Sequence, residues 1–388
     1  MSTDNKSRFF QFPTKWIHGS NVLYELPKYI QRVGADNPMV IADGGVKAVG
    51  HLKSLTDILD SSKMKYNIFD EVTPEPYSTV VDNLIDDIRK YESDIFIAIG
   101  GGSTIDVAKG LCLLSDSGGS IGDYAGIENV PRPLKIPLIA IPTTSGTGSE
   151  VSPGAVFTDP DKESKFAVVS WNIAPSIAMT DPQLTLSVPK NLTAITGIDA
   201  FSHAAESYVS RLAMPVTEQF AIKAIELVGE SLEIAVNSLD NLLAREKMQL
   251  ASTMGMVSAG NAQNGLAHAI AMPLAAKFKL SHGLAVGVIL PSVMAFNLET
   301  CPQKYRKIAE AFKLDIKGKT DIEAGQMAVT FIRNLCSKIG ITNKLGDVGV
   351  QKNDIDSLVK GTMNSIQTSV NPRAVTPDEV AELIESAL

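Results

Sequence analysis

Cysteine is scarce in this chain, and long apolar runs are missing altogether. Cys112, Cys301 and Cys336 are widely spaced and odd in number. They fit neither a disulfide framework nor a CxxC site, so a reducing cytoplasm is the expected home. No apolar run approaches the roughly 18 residues of a membrane span, and no membrane partner is expected. The opening MSTDNKSRFFQF lacks the apolar core of a secretory signal. Basic charge is in deficit too: 35 Lys and Arg against 43 Asp and Glu leave a formal net charge of -8. With no concentrated basic stretch to compensate, nucleic acid is an unsuitable partner. Low-complexity segments, charge blocks and internal repeats are also lacking.

What is present is a globular composition, 44% hydrophobic and 20% charged, over 388 residues. That length suits two domains of ordinary size or one large one. Over the first 185 or so residues, short apolar runs alternate with amphipathic stretches. The runs are Met39 to Ala42, Ile95 to Ile99, Leu138 to Ile141 and Ile177 to Met179. Such alternation predicts a parallel sheet covered on both faces. After Pro189 apolar residues recur at three and four, as in AITGIDAFSHAAESYVSRL, and the pattern is helical. The expected fold is an α/β domain over 1–188 and an all-α domain over 189–388.

Three of the five histidines fall where a metal would want them. Asp199 and His203 are four apart in GIDAFSHAAE, which puts both on one helix face. His268 and His282 follow in GLAHAIAMPLAAKFKLSHG. Three imidazoles and a carboxylate suit Fe(II), Zn(II) or another divalent first-row metal. His18 and His51 read as ordinary packed or surface residues.

Upstream, Gly100, Gly101, Gly102 and Ser103 follow the run Ile95 to Ile99. Consecutive glycines allow close backbone approach, and the helix start that follows favours an anion. Taken alone, this is equally an ordinary glycine-rich turn. Ser103 or Thr104 is expected to cap the helix. Asp106 is the wrong charge for a phosphate neighbour and reads as a positioning or capping residue. A second loop, Pro142 to Glu150, offers hydroxyls and glycines (PTTSGTGSE) to a pyrophosphate or a nicotinamide amide. In parallel sheets ligands gather at the carboxyl ends of strands, where both loops would lie. Asp43, after MVIA, either accepts hydrogen bonds from an adenosine ribose or is a turn aspartate before GlyGly.

With GGGSTIDVAK, IPTTSGTGSE and the two ligand pairs in this order, the chain resembles the iron-containing (group III) alcohol dehydrogenase family. The likeness runs from IHGSNVLYELP to NPRAVT. It implies a dinucleotide-binding α/β domain followed by a helical metal-binding and substrate domain. The metal ligands correspond to Asp199, His203, His268 and His282, with Fe(2+) as the usual ion and Zn(2+) as an alternative. The NAD contacts correspond to Asp43, Gly100, Gly101, Gly102, Ser103, Thr143, Thr144, Ser149 and Lys165. The activity implied is hydride transfer between NAD(H) and a small alcohol or aldehyde, by a cytoplasmic homodimer. Alternatives are a non-redox relative of the dehydroquinate synthase type, or an NAD-binding member without turnover.

The chain departs from the family pattern in places. Met272 stands four residues after His268, where many members carry another histidine, and a thioether cannot shuttle a proton. Gln263 and Asn264 stand where alcohol-specific members are more apolar. With Met272 they give a candidate substrate pocket suited to a second polar group. Glu75 replaces a usual asparagine and is expected to add a second acid near the ribose.

Overall fold

The computed structural model describes residues 8–161 and 164–388. Its strands are β1 (Lys15–His18), β2 (Pro38–Asp43), β3 (Asn67–Val72), β4 (Ile95–Gly100), β5 (Gly126–Ile127), β6 (Leu138–Pro142), β7 (Gly154–Asp159), β8 (Ser164–Val169) and β9 (Ile177–Thr180). Six form one sheet in the order β1-β9-β6-β4-β2-β3, and every pairing within it is parallel. The expected parallel sheet is therefore present, and the four apolar runs are four of its strands.

The sheet explains those runs. Side chains alternate across a strand, so Met39, Ile41, Phe96, Ala98, Leu138 and Ala140 face one apolar cluster with Ile105, Ala108 and Leu111. Val40, Ala42, Ile97, Ile99, Ile139 and Ile141 face the other, against Leu26, Ile30, Leu55 and Leu59. With both faces covered, no polar residue is tolerated in the middle of these strands. The three-stranded sheet β5-β8-β7 departs from the all-parallel expectation, because β7 and β8 pair antiparallel. Its strands are only partly buried, so their sequences keep polar residues such as Thr158 and Lys165.

The chain groups into two compact units. One comprises Pro13–Thr196 and Ile234–Thr253, and holds both sheets. The other comprises the described residues up to Phe12, Gly197–Glu233 and Met254–Leu388. This second unit is helical. Leu266–Phe278 and His282–Leu298 are apolar on nearly every side and pack together, as buried helices must. Phe312 closes its core from the end of Pro302–Ala311, lying 4.3 Å from Phe331 and 5.8 Å from Phe201 between ring centroids. Helix Asp321–Lys338 starts on a capping box in which Thr320 and Glu323 satisfy each other's backbone N–H. No helix among the described residues is long and apolar enough to cross a membrane.

Candidate functional site

In the helical unit, Asp199 and His203 lie on one face of helix Lys190–Val209. His268 is on Leu266–Phe278, and His282 is the first residue of His282–Leu298. The structure brings all four together: one ligand atom from each lies within 4.8 Å of the others. Asp199 Oδ1 is 3.7 Å from His282 Nε2 and 3.9 Å from His203 Nε2. Ring centroids are 4.9 Å apart for His203 and His268, and 5.2 Å for His268 and His282. His18 and His51 lie elsewhere, bonded to Thr180 and to Leu184 and Ser187 respectively.

Two observations test whether a cation fits. Asp199 Oδ1 and His268 Nε2 are buried, and neither has a hydrogen-bond partner among the described residues. Such atoms normally cost free energy unless something satisfies them. Burial also pushes the Asp199 carboxyl above the usual carboxylate range, with His282 and His268 pulling it back. A divalent ion would satisfy both atoms at once. The donor set, one carboxylate and three imidazoles, is that of a first-row metal site. The residues fit the ion.

Glu206 is the residue that the sequence reading missed. It follows Asp199 and His203 at the seventh position on the same helix face. Its Oε2 is 2.6 Å from His268 Nδ1, and it also accepts from the backbone N–H groups of Ala267 (2.6 Å) and His268 (3.3 Å). One carboxylate therefore caps the helix that carries His268 and fixes the imidazole tautomer, leaving Nε2 toward the cluster. Gly265 lies close beside it: a Cβ there would stand 3.2 Å from Glu206 Oε1 and 3.1 Å from Asn371 Oδ1, so both side chains would have to give slightly. The i, i+4, i+7 spacing was the available signal.

The candidate pocket residues lie in the same unit. Gln263, in the left-handed region at φ 61°, ends helix Leu242–Ala262, and its N–H donates to Ala259 O. Asn264 Oδ1 is buried without a hydrogen-bond partner among the described residues. Met272 lies one helical turn beyond His268 and is half-buried.

In the sheet-bearing unit the glycine and threonine loops sit side by side. Gly100 ends β4 in register with Pro142 ending β6, and Thr143 N–H donates to Gly100 O at 3.0 Å. A Cβ on Gly102 would stand 2.9 Å from the Thr147 side chain, and one on Gly101 would stand 3.7 Å from Thr144. The helix begins at Gly102 with Gly101 as N-cap, not at a Ser103 or Thr104 cap. Glycine there exposes the first N–H groups, which a side-chain cap would have consumed. Thr104 instead donates to Asp43 Oδ2 at 2.7 Å.

Asp43 is at the carboxyl end of β2, and it also caps the short helix after it by accepting from Val46 N–H. Ser103 Oγ accepts from Glu75 N–H at 3.3 Å. Glu75 Oε1 is 2.9 Å from Lys165 Nζ, so the acid expected at the ribose is spent on the lysine expected at the cofactor. Ser149 is buried, and its hydroxyl is held internally between Asp106 (2.6 Å) and Lys109 (3.0 Å). Asp106 thus positions protein groups, as its charge implied.

Comparison with known proteins bears on both clusters. Residues 13–182 match the family model described as iron-containing alcohol dehydrogenase. Residues 193–388 match that of the Fe-containing alcohol dehydrogenase family, C-terminal. The NAD-dependent methanol dehydrogenase of Bacillus methanolicus is 34% identical over 98% of this chain and 99% of its own. The 1,3-propanediol dehydrogenase of Klebsiella pneumoniae is 34% identical over the same shares. A crystal structure of 1,3-propanediol oxidoreductase superposes with a TM-score of 0.95, at 34% identity, covering 99% of this chain and 100% of that one.

Proposed function

The chain belongs to the iron-containing alcohol dehydrogenase family, and on that premise we propose which residues carry its reaction and on what substrate. The reaction is metal-dependent hydride transfer between NAD(H) and a small alcohol or aldehyde. Asp199, His203, His268 and His282 hold the divalent ion, Fe(2+) in the family's usual form. The carrying observation is the pair of buried unsatisfied ligand atoms, Asp199 Oδ1 and His268 Nε2. The bound ion supplies Lewis acidity toward the substrate oxygen.

The remaining work belongs to the chain. Glu206 holds His268 in one tautomer and raises its basicity as a donor. The Gly100–Gly102 backbone receives the pyrophosphate, the Thr143–Thr147 loop beside it receives the nicotinamide half, and Asp43 faces the ribose. Asn264 and Gln263 take a second polar group on the substrate, and Met272 supplies packing without proton transfer. The buried unpartnered Asn264 Oδ1 supports this over a role in helix packing. A relative named for 1,3-propanediol has a substrate with a second hydroxyl, whereas methanol has none. A homodimer in the cytoplasm completes the reading, in keeping with three unpaired cysteines.

The test measures NADH oxidation at 340 nm with propanal and with lactaldehyde, on Fe(II)-loaded and chelator-treated protein. Activity is expected only in the loaded protein, with lactaldehyde preferred. The preference should shrink in Gln263→Leu, because an amide left unpaired by an alkyl chain costs about 1–3 kcal/mol. Chelator-resistant turnover would defeat the metal assignment. A propanal preference that survives Gln263→Leu would defeat the polar pocket.

A further inference from the structure

Lys109 is completely buried, and no other lysine among the described residues is. It lies in helix Gly102–Ser117, whose first residue completes the glycine cradle. Its ammonium reaches Gly154 O at 2.6 Å, Ser152 Oγ at 2.9 Å, Ser149 Oγ at 3.0 Å and Ser152 O at 3.2 Å. One turn earlier Asp106 accepts from Ser149 Oγ at 2.6 Å and from Val156 N–H at 3.0 Å. Two charged side chains of a single helix thus grip residues 149–156, directly after the threonine loop. The start of the same helix meets that loop where Gly102 abuts Thr147.

A buried ammonium is a poor choice for filling space. Desolvation penalises its charge, and an apolar side chain of similar volume is often equally stable or better. Lys109 therefore has work to do in its charged form. We propose that Lys109 is a positioning residue for the cofactor: its ammonium holds the 143–149 loop against the Gly100–Gly102 cradle in the shape that binds NAD(H). The inference rests on the reading above that these two loops take the dinucleotide.

Burial lowers the Lys109 pKa to about 8, with Asp106 and then Glu150 pulling it upward. Those two carboxylates are the charged groups facing it, one from its own helix and one from the segment Ser149–Val151. The charge should then leave within an accessible pH range. Because the folded pKa lies below the ordinary lysine value, global stability rises across pH 8 to about 10.5 as the burden of a buried charge is lifted. Cofactor affinity moves the other way. Opposite signs for stability and binding separate a positioning role from a merely structural one.

The experiment titrates NADH by nicotinamide fluorescence on metal-loaded protein, from pH 6.5 to 9.5, with thermal melting alongside. Wild-type affinity should fall about tenfold as pH rises from 7 to 9.5, in a one-proton step. Lys109→Met should bind weakly at every pH without a step, and Lys109→Arg should regain affinity and stay flat because its charge persists. A pH-independent wild type would overturn the proposal. So would a step that persists in Lys109→Met, or a Lys109→Met protein that melts lower yet binds NADH normally. If neither variant folds, amide exchange at residues 143–152 of the wild type decides: protection must fall through pH 8 after correction for the intrinsic rate. Gly102→Val serves as the control, since its side chain collides with Thr147. Normal NADH binding by that variant would sink the placement of the cofactor itself. Loss there with normal binding by Lys109→Met would sink only the Lys109 role.

Discussion

The candidate metal cluster and the proposed cofactor loops are built on opposite plans. Around Asp199, His203, His268 and His282 the protein gathers side chains and leaves buried ligand atoms unsatisfied. Around Gly100–Gly102 it removes side chains and ties up the nearby charged ones, while Ser145 Oγ of the threonine loop stays buried without a hydrogen-bond partner among the described residues. Asp43 caps a helix and takes Thr104, Ser149 is held by Asp106 and Lys109, and Glu75 is paired with Lys165. The difference follows from the ligands. A small cation needs a few strong donors at fixed points, and these cannot also bond each other. A dinucleotide needs a long surface of backbone N–H groups, so nearby side chains serve best as scaffolding.

The contrast breaks most sharply when a ligand is deleted. His268→Ala or His282→Ala should abolish metal-dependent turnover, a loss of at least about a thousandfold if Lewis-acid stabilisation supplies several kcal/mol. NADH binding should remain, because every proposed cofactor contact lies in the other unit. Turnover in either variant after chelation, or loss of NADH binding along with activity, would undo the separation. The second variant to make is Glu206→Gln. Its single amide oxygen can still accept from Ala267 N–H, yet the variant gives up the second acceptor and the charge that orients His268. Metal affinity should drop by about 10–100-fold, read by competition with a chromophoric chelator, while the melting temperature of the metal-free protein moves little. Unchanged metal affinity would reduce Glu206 to a helix cap.

What could be read from the sequence followed the same divide. Four strands were legible because both faces of the sheet are covered, which leaves uninterrupted apolar runs. β3 (NIFDEV) and the β7–β8 pair are only partly buried, and their Asp, Glu, Thr and Lys residues hid them. The clustering of Asp199, His203, His268 and His282 was legible through residue type and i, i+4 spacing. Glu206 was not, because a lone glutamate on a helix reads as a solvated face until Ala267 and His268, 61 and 62 residues on, come to its carboxylate. Lys109 was hidden likewise: its acceptors lie 40 to 45 residues away, and only burial distinguishes it from a surface lysine. Of the two readings of Asp43, the structure displays the turn aspartate, as a helix cap at the strand end.

The smallest effect sharpens the cofactor side. Two acids stand among the proposed cofactor contacts, and they are held differently. Asp43 is half-buried, with each carboxylate oxygen accepting a hydrogen bond from an uncharged donor, so its negative charge is not neutralised. Glu75 is half exposed and spends its charge on Lys165. Discrimination against a 2′-phosphate should therefore rest on Asp43. Asp43→Gly should relax the preference for NADH over NADPH by at least about tenfold, since a like charge at about 4 Å costs up to about 4 kcal/mol at an effective dielectric near 20, well above the roughly 1.4 kcal/mol that tenfold requires. Glu75→Asn frees Lys165 and removes a charge, but an exposed ion pair is worth only about 0.2–1 kcal/mol, so the shift should stay within about fivefold. Catalytic efficiencies for the two cofactors in both variants, at low and high salt, check the order. Salt should shrink the Glu75 effect more than the Asp43 effect, because screening acts mainly on exposed pairs. A larger shift from Glu75→Asn than from Asp43→Gly would show that Lys165, released from its partner, reads the ribose edge more strongly than Asp43 does.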